Sequence, residues 1–235
     1  MVGAMASALA ACASKPKQQD EAIGTGTGSG SGASGSGKNG SAANGASAAG
    51  QASTSSALAS VAMVGDSITA LSKDILDAVL THMGFASVTV NAEPSRRIEV
   101  GGKKPMPGLD VVRFIQASAP PAMWVIALGT NDAGLYTTDQ EYQGLINDVL
   151  SSIPESVPLV WVSTYRDDHL KGCEQFNLLL RKSLTDRGHA AVGEWYQQVT
   201  KSKGGILTHD GVHPNGDGIL VFADTVRAAI ATELS

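Results

Sequence analysis

Aromatic residues make up only 5% of this 235-residue chain, cysteine occurs twice, and no run of about twenty apolar residues appears. Each shortage excludes something. The last removes a membrane-spanning helix from the readings of this sequence. Cys12 and Cys173 stand on opposite sides of a long polar stretch, which offers no disulfide framework. A formal net charge of −5, with no basic stripe and no interleaving of basic and aromatic residues, argues against nucleic acid as the main partner. Between Lys15 and Ser56 aromatics are missing altogether and Ile23 is the only large aliphatic. Such a segment buries too little apolar surface to offset its conformational entropy, so residues 13–57 are expected to be a disordered Gly/Ser/Ala-rich linker. The three lysines ahead of Leu58 exceed the acids there by one, leaving −6 on residues 58–235, which have the size of one α/β domain.

What precedes the linker is short and apolar. Residues 1–12 close on Leu9-Ala10-Ala11-Cys12, which resembles the lipobox of bacterial lipoprotein signal peptides. That resemblance implies lipidation of Cys12 and an extracytoplasmic domain anchored to the bacterial cell membrane. No Lys or Arg precedes the apolar run, a departure from the usual charged n-region. Cys173 reads as a buried structural thiol.

Within 58–235, apolar runs alternate with helical periodicity. Val61, Met63 and Val64 form a strand ending at Gly65, and Ile68 to Met83 predicts a helix that buries Leu71, Ile75, Leu76, Val79 and Leu80. Further strands are expected at Phe85–Val90, Met123–Leu128, Leu159–Ser163 and Ala190–Val192. Helices are expected at Leu109–Ala117, Asp139–Ile153, Glu174–Arg187 and Gly216–Glu233. This order predicts a parallel sheet with helices on both faces and ligands at the carboxyl ends of the strands.

Two of those ends carry chemistry-bearing residues, Ser67 after the first strand and Asn131 after the third. Ser67 sits where a strand turns into a helix, so its backbone N–H and the helix N-terminus both favour developing negative charge. Gly-Asp-Ser before a helix is equally an ordinary N-cap, so this triplet alone decides nothing. The last loop adds Asp210-Gly211-Val212-His213-Pro214. An Asp three residues before a His can orient one imidazole nitrogen while the other faces a serine. The expected division of labour is Ser67 as nucleophile, His213 as base and Asp210 as its orienter. A metal cluster of His209, Asp210 and His213 with His169 or Asp167 is the alternative reading of the same loop.

Gly65-Asp66-Ser67-Ile68, Gly129-Thr130-Asn131-Asp132 and Asp210-Gly211-Val212-His213-Pro214 together resemble blocks of the SGNH (GDSL-type) hydrolases, in their order and across nearly all of 58–235. The resemblance implies a flavodoxin-like α/β/α sandwich and a Ser67-His213-Asp210 triad. It also implies an oxyanion hole made by the Ser67 N–H, the Asn131 side chain and a backbone donor after the second strand. Ser95 stands where the family has a glycine for that donor, and a φ > 0 there would strain a serine. Asn91-Ala92, Arg96, Glu194-Trp195-Tyr196 and the stretch Asp210 to Gly218 are most similar to the extracytoplasmic domains of cell-wall O-acyltransferases.

The function expected from this likeness is a serine esterase that removes or transfers small O-acyl groups, acetyl first, on cell-surface carbohydrate. Alternatives are an O-acyltransferase partnered by a membrane acyl-donor protein, and a glycan-binding module without turnover. Arg96 reads as a loop ion pair or as a contact for an anionic substrate, and Tyr136, Tyr165 and Trp195 as substrate-facing aromatics or packing. No metal, cofactor or nucleic acid is implied, and a monomer is expected.

Overall fold

The computed structural model describes residues 58–235, so Cys12 and the readings of residues 1–12 and 13–57 lie outside the described residues. β1 (Leu58–Gly65), β2 (Phe85–Ala92), β3 (Met123–Ala127), β4 (Leu159–Val162) and β5 (Ala190–Gly193) pair in parallel in the order β2-β1-β3-β4-β5. Among the described residues six α-helices connect or close them. They are α1 (Ser67–His82), α2 (Gly108–Ser118), α3 (Asp139–Ser151), α4 (Leu170–Arg187), α5 (Trp195–Lys201) and α6 (Gly216–Glu233).

The strand alternation splits the core in two. Val61 and Met63 of β1, with Met123 and Val125 of β3, join Leu76 and Leu80 of α1 and Phe222 and Val226 of α6 on one face. Ala62 and Val64, with Trp124 and Ile126, join Val112 of α2, Ile146 of α3 and Phe176 and Leu180 of α4 on the other. All five positions of β3 are buried, as a central strand covered on both faces requires. β1 has β2 on one side and β3 on the other, so the chain changes direction of travel across the sheet there. The carboxyl ends of β1 and β3 therefore border the crevice of an open parallel sheet.

The expected α/β/α sandwich is present, with local corrections. In α1 the buried positions are Ile68, Thr69, Ser72, Leu76 and Leu80, while Leu71 and Ile75 face solvent. The helix is turned so that two small polar residues, not two large apolar ones, approach the sheet. On α2, Ile115 faces inward and Phe114 is exposed. α4 starts four residues before Glu174, because the turn Asp167–His169 leads directly into it. β2 continues to Ala92, two residues past Val90, because Gly65 of β1 still pairs there. α5, which periodicity did not reveal, is too short to show a stripe and buries only Trp195 and Val199.

Candidate active site

β1 ends in a residue with no room for a side chain. A Cβ on Gly65 would stand 2.0 Å from Thr69 Oγ1, so the strand can pass straight into α1 only with glycine there. Asp66 is the N-cap of α1, its Oδ1 accepting the Ile68 N–H at 3.0 Å. The capping role thus falls to Asp66, and the Ser67 hydroxyl is free for another partner.

That partner comes from the far end of the domain. His213 Nε2 lies 2.9 Å from Ser67 Oγ, and His213 Nδ1 lies 2.7 Å from Asp210 Oδ2. The other Asp210 oxygen accepts the backbone N–H of Val212 at 2.9 Å and of His213 at 3.0 Å, and the Thr208 hydroxyl at 2.8 Å. The bond to the His213 ring, then these donors, hold the Asp210 carboxyl well below the usual carboxylate range. Gly211 makes this tight turn possible with φ +70°, and the Thr208 N–H closes it on the His213 carbonyl at 2.8 Å.

The loops after β2 and β3 complete the surroundings of Ser67. Asn131 Nδ2 donates to Arg96 O at 3.2 Å and to Asp66 Oδ2 at 3.3 Å. Ser95 takes φ +61°, the left-handed backbone a glycine would accept freely and a serine accepts at a cost of about 1–2 kcal/mol. Its neighbour Arg96 is buried and locks the loop. Nη1 donates to Gly65 O and Asn91 O, Nη2 to Asn91 Oδ1, and Nε to Met106 O. Glu93 stands 3.8 Å away, so the guanidinium is held by carbonyls more than by a carboxylate. Buried Asp132 does similar work, accepting from the Ile98 N–H at 3.1 Å and from Arg97 Nε at 3.2 Å. The motif Gly-Thr-Asn-Asp thus ties the loop after β3 to the loop after β2.

No family model matches the sequence, and no curated protein does. Solved structures do match the backbone. The catalytic domain of peptidoglycan O-acetyltransferase A from Streptococcus pneumoniae is 18% identical, with a TM-score of 0.61 over 75% of this chain and 94% of that one. A lipase/acylhydrolase from Enterococcus faecalis is 18% identical with a TM-score of 0.62, covering 74% of this chain and 96% of that one. A member of the lipolytic G-D-S-L family from Veillonella parvula is 14% identical with a TM-score of 0.59, covering 73% of this chain and 98% of that one.

The chain has the SGNH hydrolase fold.

Within this SGNH fold the sequence-predicted residues Ser67, Asp210 and His213 are joined by hydrogen bonds, and Asn131 is joined to the neighbours of Ser67 and Ser95. The metal reading of the last loop fails on placement. Among the described residues no group of three or more His, Cys, Asp or Glu could hold an ion; the Asp210 oxygens are taken by the His213 ring and the turn, and His169 lies beside Asp168. The aromatic candidates divide. Tyr136 accepts from Arg97 Nη2 at 2.9 Å and Tyr165 lies against Tyr196, both partly exposed, whereas Trp195 is buried against Phe222 in the core. Cys173 is buried, and burial pushes its thiol up, away from thiolate chemistry. The roles of Arg96 and Asp132 and the contact of Asp66 with Asn131 escaped the sequence reading, since each depends on loops brought together only by the sheet.

Proposed function

We propose that residues 58–235 form an extracytoplasmic serine esterase of the SGNH type, acting on small O-acyl groups, acetyl first, of cell-surface carbohydrate. The observation that carries it is the unbroken chain Ser67–His213–Asp210 at 2.9 and 2.7 Å, at the sheet crevice beside Asn131. In this mechanism Ser67 Oγ attacks the acyl carbon as His213 takes its proton. The oxyanion is met by the Ser67 and Ser95 N–H groups and by Asn131. Collapse of the tetrahedral intermediate expels the sugar oxygen, which takes the proton back from His213, and leaves an acyl ester on Ser67. Water, activated by the same imidazole, then releases the acid.

Transfer to a second hydroxyl is the second reading, with a membrane protein supplying the acyl donor. It is favoured by the open setting of the relay, Asp210 and His213 being 43% and 35% exposed, and by the likeness to an O-acetyltransferase domain. The intact relay weighs against a glycan-binding module without turnover. Lipidation of Cys12 as the membrane anchor rests on the sequence pattern alone.

The test compares acetate release from a chromogenic acetyl ester and from O-acetylated cell-wall glycan by wild type and Ser67→Ala, with and without acceptor sugars. Loss of about three to six orders of magnitude in kcat is expected for Ser67→Ala. Unchanged release in the variant refutes the assignment, and diversion of product by acceptors selects the transferase.

A further inference from the structure

Asn131 Nδ2 has two hydrogens, and two acceptors of the protein stand within hydrogen-bond reach of it, Arg96 O at 3.2 Å and Asp66 Oδ2 at 3.3 Å. As long as both hydrogens go to these acceptors, the amide has nothing to offer a substrate oxygen. The Arg96 carbonyl belongs to the clamped loop and cannot leave. The contact with Asp66 is therefore the one that must yield, and its strength depends on whether that carboxyl is charged.

We propose that Asp66 is a positioning residue of the oxyanion hole, acting through Asn131. When neutral it releases one amide N–H to the substrate oxygen, and when ionised it retains that N–H and sets a negative charge beside the forming oxyanion. This rests on the esterase reading above.

The surroundings favour the neutral form. Asp66 is 1% exposed and is offered only the Ile68 N–H, the Asn131 amide and the Thr130 hydroxyl. The charged groups facing it are His213 from the last loop, Asp132 from the loop after β3 and Arg96 from the loop after β2. Burial outweighs the Ile68 bond and the His213 charge, Asp132 adds to it, and the carboxyl is pushed up to about 7. A neutral acid can donate its proton to the Thr130 oxygen and remain only a weak acceptor for Asn131, which lets the amide turn. A carboxylate is a strong acceptor, and in a site of low effective dielectric its charge opposes a second negative oxygen nearby.

Consequently turnover should have a falling alkaline limb that belongs to Asp66, distinct from the rising limb of the imidazole that must be neutral to act as base. The experiment measures kcat and KM for a small acetyl ester from pH 5 to 9 for wild type, Asp66→Asn and Asp66→Ala, with Ser67→Ala as the blank. Wild-type kcat is expected to fall at least tenfold between about pH 7 and 9 with KM little changed, following the titration of one carboxyl near 7. Both Asp66 variants should be slower but free of that limb. A limb that persists in the variants, or a wild type flat to pH 9, overturns the proposal while Ser67-dependent turnover leaves the esterase reading intact. Should the variants fold poorly, carboxyl-labelled Asp in the wild type decides by NMR. A signal assigned to Asp66, as distinct from buried Asp132, that titrates near 7 supports it, and an Asp66 that titrates below about pH 5 refutes it.

Discussion

Replacing Arg96 by methionine keeps much of the side-chain volume and removes every donor. The guanidinium gives four hydrogen bonds of 2.9 to 3.1 Å, to Gly65 O, Asn91 O, Asn91 Oδ1 and Met106 O. Arg96→Met leaves these acceptors without it in a site where Arg96 itself is 1% exposed. At about 1 kcal/mol for each stranded acceptor, and with some return from no longer burying a charge, the net loss comes to about 3 kcal/mol. For a domain of this size that corresponds to a fall in Tm of about 6–12 °C. The parallel ladders of β1 with β2 and β3 do not run through Arg96, so the domain should still fold. The Ser95 turn, held in a left-handed conformation next to the lost clamp, should relax first. Urea unfolding and thermal melts test the stability, and kcat/KM on an acetyl ester tests the turn, with activity falling at temperatures well below the melt. Arg96→Lys should recover only part of either, since one ammonium cannot span four acceptors. A variant as stable as wild type would refute the clamp and return Arg96 to the loop ion pair that the sequence suggested.

Two further outcomes follow from the geometry of the site. Gly129 holds φ +114°, and a Cβ there would stand 2.7 Å from the Phe176 ring, so Gly129→Ala should lose at least about 2 kcal/mol in urea and lower kcat by displacing Asn131 two residues on. Asp210→Asn should leave Tm almost unchanged, because the carboxylate is half exposed, yet reduce kcat about 10⁴-fold in the esterase assay by favouring the wrong imidazole tautomer.

Much of this was legible in the chain because the information was local. MWVIA had to be a central strand, and its five residues are all buried. Asp210 and His213 are three residues apart, and the turn that joins them is written in Gly211. Ser95 is instructive in the other direction, since the strain expected of a serine in a glycine position is present at φ +61°. What escaped was what only the assembled sheet decides. Arg96 read as a loop ion pair or a contact for an anionic substrate, yet carbonyls of β1, β2 and the Met106 turn enclose it. Trp195 followed Glu194 in a plausible site motif, but α5 turns it into the core. Leu71 and Ile75 had helical spacing to match Leu76 and Leu80, and the close seat of α1 on the sheet chose Thr69 and Ser72 instead.

The nucleophile and its base are 146 residues apart. Ser67 leaves the ribosome with the first strand, whereas His213 arrives on the loop that leads into α6, a helix packed against α1. Throughout synthesis the serine is thus an ordinary alcohol with no base at hand. If the proposed acyl chemistry holds, it would switch on as the final act of folding, so that a nascent, truncated or half-folded domain would carry no stray activity and turnover would report that both ends of the fold are in place.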